Sequence, residues 1–223
     1  MTSRAVIPFL FRAVAVAGLL AAIVPWMLYA RSPPFPGLLP ATVAFFVVVV
    51  ERLWGAFGRM PEKAAVEPER DWTAVAVGLA FVCELYAILA EVHVRRHGFG
   101  APLTTGLGAI LYASGVALRT WALRTLGAAW AIHLDRNDAP GGTLIRTGPY
   151  RLVRHPIYAG AMIDALGVAL FFGSTWGFAC ALLLFWPAEI ARARFEEGFM
   201  RVRFGEAYAL YEREAGGFFP TAL

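Results

Sequence analysis

Six stretches of this chain, at about 8–30, 38–57, 72–92, 102–123, 157–172 and 175–191, are apolar over close to the length that crosses a bilayer. No other feature restricts the fold as much. In hydrocarbon every backbone N–H and C=O must find its partner within the protein, so such stretches form helices. Composition agrees: 59% of the residues are apolar, against about 45–50% in a soluble domain. The expected fold class is all-α, a polytopic helical transmembrane bundle of six spans. Five spans would require one run to be re-entrant or interfacial.

The punctuation between the runs is readable. Pro33, Pro34 and Pro36 end the first, because proline cannot continue a helix. That run is longer than the ~7–15 apolar residues of a secretory signal and reads as a retained span. Glu51 and Arg52 lie near the exit of the second run, where they are expected to pair or to snorkel. The third carries Glu84 and Glu91. The fourth is crowded with small residues (Gly106, Gly108, Ala109, Ala113, Ser114, Gly115, Ala117), which let membrane helices approach closely. Gly173 and Ser174 form a tight hairpin, and the last run continues into a polar extension over 192–213, ending at Gly216, Gly217 and Pro220. Residues 58–71 mix both charge signs and read as a solvated linker. The interval 127–156 is the longest that does not span, a length that is usually functional, and 135–142 within it reads as a turn. Cys83 and Cys180 sit inside apolar runs and read as small buried hydrophobes, not as a disulfide or a metal site.

Charge sets the orientation. With six spans, one side of the membrane collects Arg4, then Arg59, Lys63 and Arg70, then six arginines from Arg119 to Arg154, then five from Arg192 to Arg213. The opposite side holds Arg31, Arg95 and Arg96. By the positive-inside rule both termini and the long interval are cytoplasmic. Scattered among apolar spans, these basic residues form no stripe that would track a nucleic acid.

Two polar segments on that side are candidates for chemistry. In the first, Gly148-Pro149-Tyr150 is a turn and Arg154-His155-Pro156 forces a boundary. Pro156 suits the first turn of a helix, so His155 sits at a helix N-terminus, where backbone N–H groups and the helix dipole favour an anion. Tyr158 and Gly160 fall on that first turn. A ligand with a carboxylate or an adenine would find donors, an aromatic face and room for close approach. The same residues suit an interfacial anchor, and taken alone they leave both readings open. In the second segment, a helix would set Glu197 beside Arg194 and Arg201, and Glu196 beside Arg192. Such pairs occur on any solvated helix face. They would equally hold an amine, ribose hydroxyls or a sulfonium.

The ordered combination Leu118-Arg119, Leu126-Gly127, Gly148-Pro149-Tyr150, Arg154-His155-Pro156, Tyr158 and Gly160, then Glu196-Glu197, Phe204-Gly205, Tyr208, Tyr211 and Pro220 resembles the isoprenylcysteine carboxyl methyltransferase family. It also resembles the wider set of integral-membrane methyltransferases that includes phospholipid N-methyltransferases. The likeness covers about 115–220. It implies S-adenosylmethionine as cofactor, a cytoplasm-facing binding loop and C-terminal helix, and a lipophilic or prenylated acceptor that enters from the membrane lipid. It further implies a cofactor site formed by Gly148, Tyr150, His155, Pro156, Tyr158, Gly160, Glu196 and Glu197, with Arg154 beside it. The chain then divides into N-terminal spans without a recognised motif, 1–100, and a methyltransferase core, 101–223. A soluble-type glycine-rich nucleotide loop is missing, since Gly106 and Gly108 lie mid-span with no third glycine after them.

Methyl transfer from a sulfonium is an in-line displacement in which protein chiefly positions and desolvates. A carboxylate acceptor needs no base but does need a cation. A charge inside a span is costly and marks a functional candidate, so Arg119 is the first choice for catalysis and Arg154 the second. A thiol or amine acceptor would need a base, for which His133 and His155 are available. Asp164 and Glu84 are mid-span acids suited to pairing with Arg119, and Asp164 also to facing a substrate tunnel. The preferred acceptor is the carboxylate of an isoprenylcysteine-like molecule, with a phospholipid amine or a small thiol as alternatives and no metal required. The competing class is a non-catalytic scaffold or lipid-binding protein, which gains nothing from Glu196-Glu197 because carboxylates repel phosphate.

Overall fold

The computed structural model describes residues 35–57, 72–127 and 143–220. The expected first span, the linker 58–71 and the turn at 135–142 lie outside or largely outside them. Seven α-helices run through the described residues: α1 Leu38–Phe57, α2 Trp72–Arg95, α3 Pro102–Leu126, α4 Pro156–Phe171, α5 Thr175–Cys180, α6 Trp186–Phe204 and α7 Glu206–Glu214. A five-residue π segment, Ala181–Phe185, joins α5 to α6 as one continuous rod, and a 3₁₀ turn covers Gly148–Arg151. Among the described residues there is no strand, only one parallel bridge between Val153 and Gly216.

Local sequence explains the boundaries. Pro102 and Pro156 open α3 and α4, where a missing N–H costs nothing. Ser174 Oγ accepts from Gly177 N at 2.9 Å and starts α5. Pro187 has no N–H to return to the preceding turn, and the π segment falls directly before it. Gly205, at φ +51°, separates α6 from α7.

Both α2 and α3 are long and apolar enough to cross a membrane, and α4 is a shorter apolar helix. Their outward faces fit that solvent. Leu39, Val43, Val47 and Val50 on α1, and Leu103, Leu107 and Ile110 on α3, are exposed at helical spacing. Inside, Phe45 and Val48 of α1, Leu85 and Ile88 of α2, and Val168 of α4 with the adjoining Phe172 share one buried cluster. Cys83 departs from expectation. It is exposed on the apolar surface of α2 instead of buried, because its helix turns Glu84 and Leu85 inward; both cysteines are free.

Two of the small residues of α3, Gly108 and Gly115, bring it into close contact with α4. A Cβ on Gly108 would fall 2.3 Å from Phe171 N, one on Gly115 2.5 Å from Gly160 O, and one on Gly167 2.4 Å from Tyr112 N. The backbones of α3 and α4 therefore meet at two levels seven residues apart. Gly106, two residues from Gly108 and so on the other side of the helix, has open space around it. Gly115→Leu is expected to cost about 3 kcal/mol or more through overpacking, whereas Gly106→Leu should be tolerated. Thermal unfolding of the two detergent-purified variants would show the contrast.

Glu91 has a structural role. Its carboxylate accepts from Ser174 Oγ, Thr175 Oγ1 and Trp176 N, each at 2.7 Å. It thus caps the N-terminus of α5, where the helix dipole favours a negative charge.

Candidate functional site

The turn, the polar extension and the tail are drawn together by one carboxylate. Glu197 lies on α6, one turn beyond Ala193, which packs inward. Its Oε1 receives Arg154 Nε at 3.1 Å, Arg154 Nη2 at 3.0 Å and His155 Nε2 at 2.9 Å. A carboxylate only accepts, so His155 Nε2 carries the hydrogen in this contact. Oε2 receives Arg201 Nη2 at 3.3 Å. The hydrogen bond from His155, outweighing burial, and then Arg154 hold the Glu197 carboxyl down at about 2. The expected pairing of Glu197 with Arg201 is present. Arg154 and His155 are partners that helical spacing alone does not reveal.

Arg154 spends its remaining donor on the tail. Nη1 reaches Glu212 O at 3.1 Å and Ala215 O at 2.6 Å. The backbone follows: Arg154 N donates to Gly216 O at 2.7 Å, His155 N to Gly217 O at 3.1 Å, and Gly216 N to Leu152 O at 3.2 Å. Tyr211 Oη donates to Tyr150 O at 2.6 Å. Burial lifts the Tyr211 hydroxyl to about 12, so it keeps its proton to donate. The residues after α7 therefore lie along the loop as a short parallel ribbon and bring Phe218 onto His155.

The His155 ring lies between two aromatics, Tyr158 at 5.7 Å and Phe218 at 5.6 Å between centroids. The Tyr158 hydroxyl hydrogen-bonds to Glu196, whose carboxylate approaches His155 Nδ1 at 3.9 Å and is partly exposed. Phe218 gives no signal in the sequence beyond its place after the Gly-Gly pair. Tyr150 is buried against Ala122 and Leu126, and Gly148 (φ +57°) packs against Thr125 and Trp121. Both position the loop on α3. Pro156 is fully buried at the start of α4. Gly160 corrects its assignment: the room expected for a ligand is filled by α3, since a Cβ there would meet Arg119 and Gly115 at 2.7 Å. His133 lies outside the described residues.

Deeper in the bundle is a second polar cluster. Arg119 Nη2 donates to both oxygens of Glu51, at 2.7 and 2.8 Å, and Arg119 Nε meets Asp164 Oδ2 at 2.7 Å. Arg52 pairs with the other oxygen of Asp164. Tyr112 Oη reaches Glu51 at 3.3 Å. The expectation that Glu51 and Arg52 pair or snorkel is thus corrected: each takes a partner on another helix, Glu51 on α3 and Arg52 on α4. Arg119 is buried and held by two carboxylates, and Asp164, wholly buried, joins two guanidinium groups. Glu84 and Glu189 are buried beside Arg52 without touching Arg119. Among the described residues no group of three or more His, Cys, Asp or Glu is arranged to hold a metal ion.

Comparisons with known proteins show what a helical bundle with such an aromatic and carboxylate loop site is similar to. Residues 103–207 match the family model described as phospholipid methyltransferase. The chain is 25% identical over 129 residues to the protein-S-isoprenylcysteine O-methyltransferase of Saccharomyces cerevisiae, covering 58% of this chain and 54% of that one. It is 35% identical over 151 residues to the cobalt-zinc-cadmium resistance protein CzcN of Cupriavidus metallidurans, covering 66% and 63%. The fold matches that of the eukaryotic intramembrane Ras methyltransferase ICMT with a TM-score of 0.53 at 18% identity, over 95% of this chain and 74% of that one. The resemblance to isoprenylcysteine carboxyl methyltransferases carried by the motifs is thereby borne out. The matched segments span about half the length of the isoprenylcysteine methyltransferases of yeast and rice, 54% and 56%.

Proposed function

We propose that the protein is an integral-membrane methyltransferase that uses S-adenosylmethionine and methylates the carboxylate of an isoprenylcysteine-like acceptor. The observation that carries this reading is the Glu197 clamp, in which a loop, a helix and a tail far apart in sequence converge on one anionic and aromatic site. The curated relatives named as isoprenylcysteine O-methyltransferases support the choice of acceptor. In this reading residues 1–100 are accessory spans and 101–223 the core, six spans cross the membrane, and the site opens to the cytoplasm.

The donor set fits the cofactor. Glu196 has a partly exposed carboxylate suited to ribose hydroxyls or an amino group, while Phe218, packed over His155, offers a flat outer face to an adenine. When bound, S-adenosylmethionine supplies an electrophilic methyl group on a sulfonium. Glu197 holds Arg154 and His155 in place, and the tail shuts water out behind them. An acceptor carboxylate is already a nucleophile, so no residue has to take a proton. Arg119, neutralised by Glu51 and Asp164, is a fixed link between helices of the interior and not a free clamp.

Phe218→Ala is expected to weaken cofactor affinity about fivefold through the loss of one aromatic contact, with folding intact, as read by calorimetry. The acceptor assignment is tested by methyl-label transfer to a panel of prenylcysteines, phosphatidylethanolamine and small thiols. Labelled prenylcysteine ester is the expected product. Label confined to the lipid amine or the thiol would replace the acceptor and keep the methyltransferase.

A further inference from the structure

The loop that carries His155 is pinned to the end of a helix long enough to cross a bilayer. With 25 residues, α3 rises about 38 Å, against a hydrocarbon core of ~30 Å. Its ends therefore reach the lipid headgroups. Tyr150 packs against Ala122 and Leu126 of its C-terminal end. A Cβ on Gly148 would meet Thr125 Oγ1 at 2.7 Å and Trp121 Nε1 at 3.3 Å. Trp121 is exposed there, and tryptophan is enriched at that level of a bilayer. The 3₁₀ turn Gly148–Arg151 is thus held at the depth of the last turns of α3.

One cation of this turn is not spent inside the protein. Arg119, Arg154 and Arg201 all meet carboxylates. Arg151 is exposed, and its side chain makes no ion pair or hydrogen bond among the described residues. It lines a small cleft together with Arg146, Tyr211, Glu214 and Ala215. Arg146 pairs with Glu214 and lies over the Tyr211 ring, 5.5 Å from its centroid. Among the described residues lining the cleft, Glu214 is the one carboxylate, so the charge of Arg151 is left uncompensated. Leu152, next in the chain, is apolar and exposed. A guanidinium beside an apolar side chain at headgroup depth suits a phosphodiester with acyl chains below it.

We propose that the cleft around Arg151 binds the phosphodiester of an anionic phospholipid in the leaflet at that end of α3. Arg151 donates to the phosphate oxygens, Arg146 adds positive charge from the side, and Leu152 lies against the apolar part of the lipid. The lipid ties the loop to α7 and the tail, which supply Tyr211, Glu214 and Ala215 to the cleft. The same residues already fix the cofactor loop, since Tyr211 Oη donates to Tyr150 O and Arg154 Nη1 to Ala215 O. An occupied cleft therefore holds the loop in its cofactor-binding form, and cofactor affinity rises with anionic lipid. The lipid site rests on the fold; only its effect on the cofactor rests on the methyltransferase reading.

The test uses full-length protein in nanodiscs of phosphatidylcholine, with and without phosphatidylglycerol. Native mass spectrometry counts retained lipid, and calorimetry reads S-adenosylmethionine affinity. Wild type is expected to retain phosphatidylglycerol and to bind cofactor about fivefold more tightly in its presence, the worth of one arginine at an anionic surface. Arg151→Gln should remove both effects and leave cofactor affinity in pure phosphatidylcholine unchanged, while Arg151→Lys should keep most of each. Glu214→Gln, which releases Arg146, should strengthen lipid retention, an effect that a purely structural loop would not show. Equal retention by wild type and Arg151→Gln, displacement of the lipid by millimolar inorganic phosphate, or a dimer in place of retained lipid would overturn the site. Retained lipid with equal cofactor affinity in both discs would overturn the coupling. Retained lipid with no cofactor binding in either disc would support the site and remove the methyltransferase reading.

Discussion

Glu197→Ala is expected to lower S-adenosylmethionine affinity by about 100-fold or more. The substitution strands Arg154 and His155 in a site where both point at the missing oxygen, and breaking a buried charge pair costs about 3–5 kcal/mol. It also releases the tail, because Arg154 holds Glu212 O and Ala215 O from the position Glu197 gives it. Glu197→Gln should lose less, since one acceptor oxygen remains. A pH dependence accompanies this. The Glu197 carboxyl is depressed to about 2 in the folded protein, below the ~4.3 of an unfolded glutamate. Its contribution to stability is therefore fully present above pH ~4.3 and fades as pH falls toward 2. Unfolding midpoints of wild type and Glu197→Gln should converge across that window, and parallel curves would contradict the assignment.

Asp164→Ala is expected to have the largest effect on folding. Asp164 is the one carboxylate that touches both Arg52 and Arg119, and it is wholly buried. Its removal leaves Arg52 with no ion-pair partner in the interior, at a cost of about 3–5 kcal/mol. Arg119 keeps Glu51 and suffers less. Adding Arg52→Met to Asp164→Ala should recover part of the loss by removing the stranded charge. The fraction of monodisperse protein in detergent and its melting temperature would report both effects. A double variant no better than the single would show that Arg52 is not the group left uncompensated.

Most elements are legible in the sequence, and few of the partnerships are. The interval 38–57 coincides with α1, and α2 and α3 each extend three residues beyond the apolar runs 72–92 and 102–123. Hydropathy carries that information because each span must satisfy its own backbone. Which charges meet across helices is not carried by hydropathy. Glu51 and Arg52 are adjacent in sequence, but neighbours on a helix point about 100° apart. One therefore faces Arg119 and the other Asp164, and their separation follows from helix geometry alone. Gly160 shows a different limit. A glycine near a binding loop reads equally as room for a ligand or as a helix contact, and only the matching Gly115 across the seam decides it. Phe218 reaches His155 through a ribbon held by backbone hydrogen bonds, for which side-chain pattern offers no cue.

The central claim is that the loop around His155 and Glu197 is a cofactor site. Titration calorimetry of S-adenosylmethionine into the detergent-purified wild type, His155→Ala and Glu197→Ala proteins tests it most directly. The account predicts one-site binding to the wild type and its loss in both variants with the helical fold retained. Folded wild type that takes up no S-adenosylmethionine, in detergent or in lipid, would contradict it.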